Sequence, residues 1–422
     1  MPSTANLSST HPCIAYFVVR YPTLSQTFIQ REIAGLCQHG FEITVFTCSQ
    51  WGNPFTWQAA KDLGCVSCRV EPMRLRKLTA ALWQALLLLV SRPRLVLQAF
   101  RLIPSYRWAG PENFLANIWG VIVGLSQADT LRRFHFQAAH GAWATLPATA
   151  AGIASAIAKI PFSFGAHAYD LYRHGGDGFL QEKMAAAAWI HTTTQAGVDH
   201  LTQLAPFSRN KMVLARRGLL SLPELKTDHW NAAEIHMLSI GRLVPKKGQM
   251  HQLCACRWLM DQGLQFKLRI IGDGPLRQQL ENEKKLLHLK EAVEFVGALN
   301  PEDVVRQYAW ADLLWHAGIT DAEGDRDGLP NVIGEAMAHG VIVLTSPQTG
   351  PLEAIEHEVT GMIADAQKPE TILQMIQRLT DNPQLRTRIR TSAHHWVETH
   401  FMASKNTARL AQAFQRNCAS SF

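Results

Sequence analysis

Short apolar runs alternate with amphipathic stretches along most of the chain. The first such unit is a strand at Ile14–Val19, a helical stretch with apolar residues on one face, and a second strand at Ile43–Phe46. This alternation is typical of parallel sheets covered by helices, because parallel strands need a crossover connection that is usually helical. Further strands are predicted at 134–139, 162–164, 189–192, 236–240, 267–271, 293–296, 313–315 and 341–344.

The length of the chain favours two domains. A chain of 422 residues is too long for one hydrophobic core and suggests two domains of about 200 residues each. The alternation is interrupted at 219–235, where no clear period is visible, so this stretch is the predicted linker. We therefore predict a first domain at 1–218, a second at 236–392, and a C-terminal segment at 393–422 with a helical pattern from Ala393 to Phe414.

Basic residues are concentrated between Arg69 and Arg107, which contains eight Lys or Arg residues and one acidic residue, Glu71. Within this segment, residues 78–90 form a Leu-rich helical stretch that is shorter than the roughly 20 residues needed to span a bilayer. Basic flanks around an apolar helix suit a helix lying on an anionic membrane surface. A buried helix with a solvated basic edge explains the pattern equally well.

Composition excludes several other classes of protein. The apolar content of 47% describes a packed globular chain, and the pI near 9.0 is not accompanied by zinc-finger spacing or a basic–aromatic stripe, so nucleic acid is not an expected partner. The eight cysteines do not form a disulfide or zinc framework, and the apolar run at 13–19 lacks the basic region of a signal peptide. These features predict a protein of the reducing cytoplasm.

Two carboxylates eight residues apart, Asp327 and Glu335, bracket a Gly/Pro turn and the start of a helical pattern. The helix opens at Asn331 and Val332, so its free N–H groups and positive dipole end face the turn. Such a site suits a ligand with phosphate and hydroxyl groups, since backbone N–H groups bind phosphate and carboxylates accept from hydroxyls. Taken alone, the motif is also compatible with an ordinary turn and helix.

A second motif, Ser239-Ile-Gly-Arg242-Leu-Val-Pro-Lys-Lys247-Gly248, follows the strand at 236–240. Arg242 and Lys247 leave the sheet edge near the start of the next helical pattern. They suit a diphosphate, the Arg as a planar fork and the Lys as a point charge. Two solvated surface cations are the alternative.

Together the motifs resemble the acidic-x7-acidic and G-R-L-x-x-x-K-G signatures of the retaining glycosyltransferases of family four. The usual first acidic residue is Glu, and Asp327 is one methylene shorter. The resemblance is strong from about 236 to 360 and implies that Arg242 and Lys247 bind the donor diphosphate, Asp327 contacts the donor sugar as a catalytic residue, and Glu335 holds the ribose. The remaining donor-binding residues that it implies are Gly274, Pro275, Leu329, Asn331 and Val332.

The resemblance also implies the GT-B fold, an α/β architecture of two Rossmann-like parallel-sheet domains facing a cleft. The nucleotide-sugar binds to the second domain, the acceptor side is the first, and the last helix crosses back to the first domain. No cofactor is expected.

The first domain resembles the same family less closely. His167, just beyond the strand at 162–164, stands three residues before Asp170 and matches a strand-end H-x-x-D whose His lies near the donor sugar, so it is implied to be catalytic. His140 matches a second position more weakly. Residues 22–28 resemble the P-x-x-S-E-T-F segment of exopolysaccharide glycosyltransferases of the colanic-acid type, with Gln26 in place of Glu.

The predicted activity is transfer of a sugar from a nucleotide-sugar to a glycan or lipid-linked glycan acceptor, with retention, in exopolysaccharide or lipopolysaccharide synthesis. Asp325-Arg-Asp327 is formally a D-x-D motif, but Arg and Lys supply positive charge, so no essential metal is expected. The alternatives are an NDP-sugar epimerase or phosphorylase of the same fold, or a non-catalytic scaffold of a polysaccharide assembly complex. The predicted location is the cytoplasm, with peripheral attachment to the inner membrane if residues 69–107 touch it.

Overall fold

The computed structural model describes residues 11–22, 27–51, 68–73, 75–91, 110–225 and 230–418. The chain forms two α/β units. Met1–Ala215 and Ala403–Phe422 make up the first unit, and Arg216–Met402 make up the second. Each unit has its own parallel sheet and its own buried clusters of apolar side chains. For comparison, the sequence predicted a linker at 219–235 and a terminal segment that starts at 393.

The first unit is built on a seven-stranded parallel sheet with strand order β3-β2-β1-β4-β5-β6-β7. Its strands are β1 (Cys13–Val18), β2 (Glu42–Trp51), β3 (Cys68–Met73), β4 (Ala138–Gly141), β5 (Phe162–Gly165), β6 (Trp189–Thr192) and β7 (Met212–Leu214). Its helices before the linker are α1 (Thr27–Gln38), α2 (Leu75–Ser91), α3 (Pro111–Arg133), α4 (Leu146–Ala158), α5 (Ala168–Tyr172), α6 (Leu180–Ala186) and α7 (Gln195–Leu204).

The second unit is built on a six-stranded parallel sheet with strand order β10-β9-β8-β11-β12-β13. Its strands are β8 (Ile235–Ile240), β9 (Phe266–Ile271), β10 (Val293–Gly297), β11 (Leu313–His316), β12 (Ile342–Thr345) and β13 (Met362–Ile363). Its helices are α8 (Gln249–Asp261), α9 (Arg277–Leu286), α10 (Pro301–Trp310), α11 (Asn331–Ala338), α12 (Pro369–Thr380) and α13 (Pro383–His400). The order reverses direction between β8 and β11, and parallel α/β sheets bind ligands outside such a switch point.

The helical pattern predicted over 393–414 is divided in the structure. Helix α13 ends at His400, Phe401 and Met402 leave the helix, and α14 (Ala403–Cys418) packs against α1 in the first unit. The two helices approach closely at Gly35, where a Cβ atom would lie 2.5 Å from the Thr407 side chain. The last helix therefore belongs to the core of the first unit.

Helix α2 covers the stretch that the sequence predicted to be helical at 78–90. One face contacts α3, where buried Gln84 donates through Nε2 to Asp129 Oδ1 at 2.8 Å. The opposite face exposes large apolar side chains: Leu82, Trp83, Leu86, Leu87 and Val90. Ala81 is also buried and Leu78 packs against the core of the first unit, so α2 carries apolar side chains on both its buried and its exposed side. None of the described helices combines the length and apolar character needed to cross a membrane.

Candidate functional site

The two motifs of the second unit meet at the carboxyl edge of its sheet. The lysine loop, residues 242–248, connects β8 to α8, and the acidic turn, residues 325–330, precedes α11. Lys247 Nζ donates to Asp327 Oδ2 at 2.7 Å, joining the two segments. Lys246 lies 3.0 Å from Asp325 and 3.7 Å from Asp327. Both acidic residues of the D-x-D motif are therefore paired with lysines.

The backbone of the lysine loop lies directly against the segment that follows β11. Gly248 has φ of +69°, and a Cβ atom there would lie 1.9 Å from the carbonyl oxygen of Ala317. No other residue fits this position without displacing the backbone. Gly248 thus holds Lys247 against the end of β11, which carries His316.

His316 is the partner of Asp327 that the sequence motifs did not reveal. Its Nε2 lies 3.2 Å from Asp327 Oδ2, and its Nδ1 lies 3.1 Å from Thr345 Oγ1 on β12. The signal available in the sequence was its place at the carboxyl end of a predicted strand, where parallel sheets bind ligands.

The environment keeps Asp327 ionised. Burial alone raises the pKa of this carboxyl group, but Lys247, His316 and Lys246 outweigh that effect and hold the pKa well below its usual range. Asp327 is therefore a carboxylate at neutral pH and can only accept hydrogen bonds. A ligand hydroxyl donating to it is the chemistry that this arrangement supports.

The first turn of α11 provides donors and an unmatched acceptor. The helix begins after Pro330 with no side-chain cap, so its first N–H groups lack the usual partner. The Oδ1 atom of Asn331 is buried and has no hydrogen-bond partner within the described part of the chain. Free N–H groups at a helix start bind anions, and a buried unpaired acceptor needs a donor. Both features point to a polar ligand at this end of the helix.

Glu335 lies one turn further along α11 and is held by a second residue that the motifs missed. Tyr308 on α10 donates its hydroxyl to Glu335 Oε2 at 3.1 Å, and its ring stacks on His339 with centroids 5.0 Å apart. Burial and the charge of Glu335 raise the pKa of Tyr308 well above its usual value, so the hydroxyl stays protonated and remains a donor. Tyr308 thereby fixes the orientation of the Glu335 carboxylate.

Arg242 is exposed, and its guanidinium group has no partner among the described residues. Its loop packs on the turn after β9, where a Cβ atom at Gly274 would lie 2.5 Å from the Leu243 carbonyl oxygen and Leu276 N donates to that oxygen at 3.1 Å. The structure therefore brings the Arg242 and Gly274-Pro275 segments side by side.

The remaining predicted residues have different environments. Leu329 is buried in the apolar cluster around α11, so its side chain supports the acidic turn, and Val332 packs against the same cluster while lining a small pocket. The lining of that pocket consists of Ser239, Ile240, Lys247, Gln249, Leu314, Trp315, His316, Ala317 and Val332. The second unit thus brings Lys247, Asp327 and the start of α11 together.

His167 lies in the first unit, at the start of α5 just beyond β5. Its backbone N–H donates to Asp170 Oδ1 at 2.8 Å, and Asp170 Oδ2 accepts from Ala144 N at 2.7 Å. Burial raises the pKa of Asp170 to about 7, although the backbone donors of Ala144 and His167 oppose this. The H-x-x-D motif is therefore a capped turn that fixes the His167 backbone. Residues 23–26 of the predicted P-x-x-S-E-T-F segment lie outside the described residues.

Comparison with known proteins relates the second unit to a described family. Residues 226–396 match the family described as Glycosyl transferases group 1. The chain is 33% identical over 182 residues to the amylovoran biosynthesis glycosyltransferase AmsK of Erwinia amylovora, covering 43% of this chain and 45% of that protein. It is 30% identical over 145 residues to WcaL of Escherichia coli, whose name provisionally assigns it to colanic acid biosynthesis, covering 34% of this chain and 36% of WcaL. The chain thus spans less than half the length of these two relatives.

Solved structures are similar over nearly the whole chain. A sucrose-phosphate synthase of Thermosynechococcus elongatus aligns with a TM-score of 0.70 at 16% identity, covering 97% of this chain and 100% of that one. Anabaena Alr3699/HepE in complex with UDP-glucose aligns with a TM-score of 0.66 at 17% identity, covering 96% and 100%. At these identities the similarity establishes the fold, and the predicted GT-B fold is confirmed.

Proposed function

We propose that the chain, whose residues 226–396 match the glycosyl transferases group 1 family, transfers a sugar from a nucleotide-sugar donor to a glycan or lipid-linked glycan acceptor. Retention at the sugar carbon, and a role in exopolysaccharide or lipopolysaccharide synthesis, are part of the proposal. The names of similar proteins mention both UDP-glucose and GDP-mannose, so the donor is specified here only as a nucleoside-diphosphate sugar.

The observation that carries the proposal is the meeting of Lys247, Asp327 and the uncapped start of α11 at one sheet edge. Arg242 and Lys247 would neutralise the diphosphate as it leaves, together with the N–H groups of α11. Asp327 would accept from a sugar hydroxyl, and Glu335 from a ribose hydroxyl. Fixed donors and charges of this kind stabilise a developing diphosphate without reorganising during the reaction.

His167 is proposed to hydrogen-bond the donor sugar. Its support is the rigid turn around it: the Asp170 carboxylate ties the backbone of His167 to that of Ala144. These two hydrogen bonds fix the backbone that carries the His167 imidazole.

We propose that transfer needs no essential metal at the diphosphate. The carboxylates that could bind Mg²⁺, Asp325 and Asp327, are already paired with Lys246 and Lys247. Transfer that persists in excess chelator would agree with this. Transfer that is lost and then restored by added Mg²⁺ or Mn²⁺ would reject it.

The experiment begins with thermal stabilisation of the purified chain by a panel of nucleotide-sugars, because a ligand at 100 times its Kd stabilises by about 2.7 kcal/mol. The stabilising donor is then assayed with and without glycan and lipid-linked acceptors. Lys247→Ala should lower kcat/KM by about 10² to 10³-fold, comparable to removing one fixed transition-state donor. Lys267→Ala, a lysine at the opposite edge that bonds the Glu291 carbonyl oxygen, is the control.

Each competing function predicts a different result in the same assay. Turnover of the donor at full rate without a glycan or lipid-linked acceptor would indicate an epimerase, or a phosphorylase if the turnover requires phosphate. Normal polymer production by cells carrying Arg242→Ala and Lys247→Ala would indicate a scaffold.

We also propose that helix α2 attaches the protein to the cytoplasmic face of an anionic membrane. Its exposed apolar face, which includes Trp83 and Leu86, has the composition of an interfacial helix. The surrounding sequence from Arg69 to Arg107 carries eight basic residues and one acidic residue, which complements an anionic leaflet.

A further inference from the structure

Three side chains of metal-binding type meet inside the first unit. Glu32 comes from α1, His140 from β4 and His191 from β6, and their nearest ligand atoms all lie within 4.8 Å of one another. His140 is 1% exposed and His191 is 3% exposed. Their separation in the sequence is wide, so no short motif could have indicated the group.

The His140 ring is held in place by contacts in which only one of its two nitrogen atoms forms a hydrogen bond. Nδ1 lies 2.8 Å from Ser163 Oγ, and the ring packs between Tyr16 and Trp189 with centroids 5.0 and 5.2 Å away. Nε2 is buried and has no hydrogen-bond partner in the part of the chain that the structure describes. A buried nitrogen without a partner is unfavourable in either tautomer.

The second imidazole presents a lone pair to the same space. His191 Nε2 lies 2.8 Å from the Ala215 carbonyl oxygen, which can only accept, so Nε2 carries the proton. In the neutral ring Nδ1 is then an acceptor, and it lies 4.0 Å from Glu32 Oε2. The Glu32 carboxylate is also an acceptor, and its Oε1 receives the Tyr16 hydroxyl at 2.7 Å. Acceptors facing one another need a cation or a donor between them.

We propose that Glu32, His140 and His191 bind a divalent transition-metal ion of the Zn²⁺ class. Two imidazole nitrogens and one carboxylate form a donor set that proteins use for such ions. Ser163, the Ala215 carbonyl group and Tyr16 occupy the outer positions that orient metal ligands. Bonds of about 2.0–2.2 Å require the ligand atoms to move closer together than the 4.8 Å that bounds their separations here.

The ion would have a structural role. It would tie α1 to β4 and β6 in the core of the first unit. The proposed site is separate from the donor diphosphate, and the proposal does not rest on the proposed function. Metal binding can therefore be measured without an activity assay.

The test uses full-length protein purified without a histidine tag and stripped of metal by chelator. Titration with Co²⁺, followed by its visible absorption, and metal analysis after Zn²⁺ loading should both give one ion per chain. Zn²⁺ should also raise Tm. Ser163→Ala should weaken binding about 10- to 100-fold, as expected for the loss of an outer-shell partner. Glu32→Gln and His191→Gln should weaken it more.

The control is His200→Gln, which changes a half-buried histidine of the same unit whose ring centroid lies 5.1 Å from that of Tyr172. It should bind the ion as wild type does. Absence of stoichiometric Co²⁺ and Zn²⁺ binding by folded wild type would overturn the proposal. Unchanged affinity in folded Ser163→Ala and Glu32→Gln would place the ion elsewhere and would also overturn it. If a direct ligand variant fails to fold, the wild-type titration and Ser163→Ala still decide.

Discussion

At the scale of single residues, the contact between Tyr308 and Glu335 offers a selective test of the ribose-binding role. Tyr308→Phe removes the hydroxyl that donates to Glu335 but keeps the ring that stacks on His339. A hydrogen bond to a charged group contributes about 1.5–3 kcal/mol to stability, so Tm should fall. Because Glu335 is no longer held in place, nucleotide-sugar affinity of the folded variant should fall about 10- to 100-fold. Isothermal titration calorimetry with the donor measures this.

The matched control for that variant is Tyr172→Phe, which alters a tyrosine whose ring contacts His200 in the first unit. Its donor affinity should equal that of wild type. Equal affinity in Tyr308→Phe and wild type would show that Tyr308 does not position Glu335 for the ligand.

The same residues show what sequence could and could not predict at this scale. Asp327, Lys247 and Glu335 stand in short motifs whose residue types match a chemistry, so they could be named as candidates without a structure. His316 and Tyr308 act through contacts that form only when β11 and α10 pack beside the acidic turn and α11. A lone His or Tyr has no local pattern that distinguishes this role from an ordinary one.

At the scale of elements, the predicted strands are confirmed except at 134–139, where α3 continues to Arg133 and β4 begins only at Ala138. β3 was not predicted, because it contains Pro72 and Glu71, and its position at the sheet edge tolerates residues that a central strand would not. β7 has only three residues, too few for a period to show. The break at Phe401 and Met402 was missed because both residues are apolar and continue the helical pattern.

The turn that holds His167 has a predicted pH dependence. Burial raises the pKa of Asp170 to about 7 in the folded state, against about 4 for an unfolded Asp. Between these values the unfolded state binds fewer protons, so the free energy of unfolding falls as pH rises from about 4 to 7 and levels off above 7. The contribution is on the order of 2–4 kcal/mol.

Urea unfolding of wild type and Asp170→Asn at pH 5 and pH 8 isolates this group, since other titrations cancel in the difference. The advantage of wild type over the variant should be larger at pH 5. A difference that is the same at both pH values would mean that Asp170 does not titrate in this range.

The membrane proposal is tested on α2 and its flanks. We expect wild type to float with anionic vesicles, and attachment to weaken in salt, because each basic residue near the surface contributes about 1 kcal/mol. Flotation should fall when Arg74, Arg76, Lys77, Arg92 and Arg94 are changed to Gln, and when Leu82 and Val90 are changed to Gln. Residues 74 and 92–109, and the side chains of Arg76 and Lys77, lie outside the described part of the chain, so the charge argument rests on sequence.

Leu82 and Val90 are 72% and 75% exposed, and Leu286 of the second unit, at 73%, is a matched control. Leu286→Gln should float as wild type does. If the folded basic and apolar variants both float equally well, α2 is not the anchor.

At the scale of the whole molecule, the end of the chain stabilises its beginning. α14 belongs to the first unit, where the Phe414 ring lies 5.7 Å from Phe41, 5.6 Å from His140 and 4.8 Å from Trp189. Residues 410–418 therefore complete a core that also contains Ile14. The apolar pattern of a single helix does not reveal which core the helix joins. The resemblance to the GT-B fold supplied the expectation of a returning helix, and local pattern supplied only its helicity.

Phe414→Ala should destabilise the first unit by about 3–5 kcal/mol, because a buried aromatic ring is replaced by a cavity. Hydrogen exchange should then accelerate in β4 and β7, which contact α14, and remain unchanged in β8 and β11 of the second unit. Phe207→Ala, at a phenylalanine of the same unit that is 61% exposed, is the control and should change exchange little. Equal acceleration in both units would mean that the two units unfold as one cooperative body, and no acceleration would mean that α14 does not contribute to the core of the first unit.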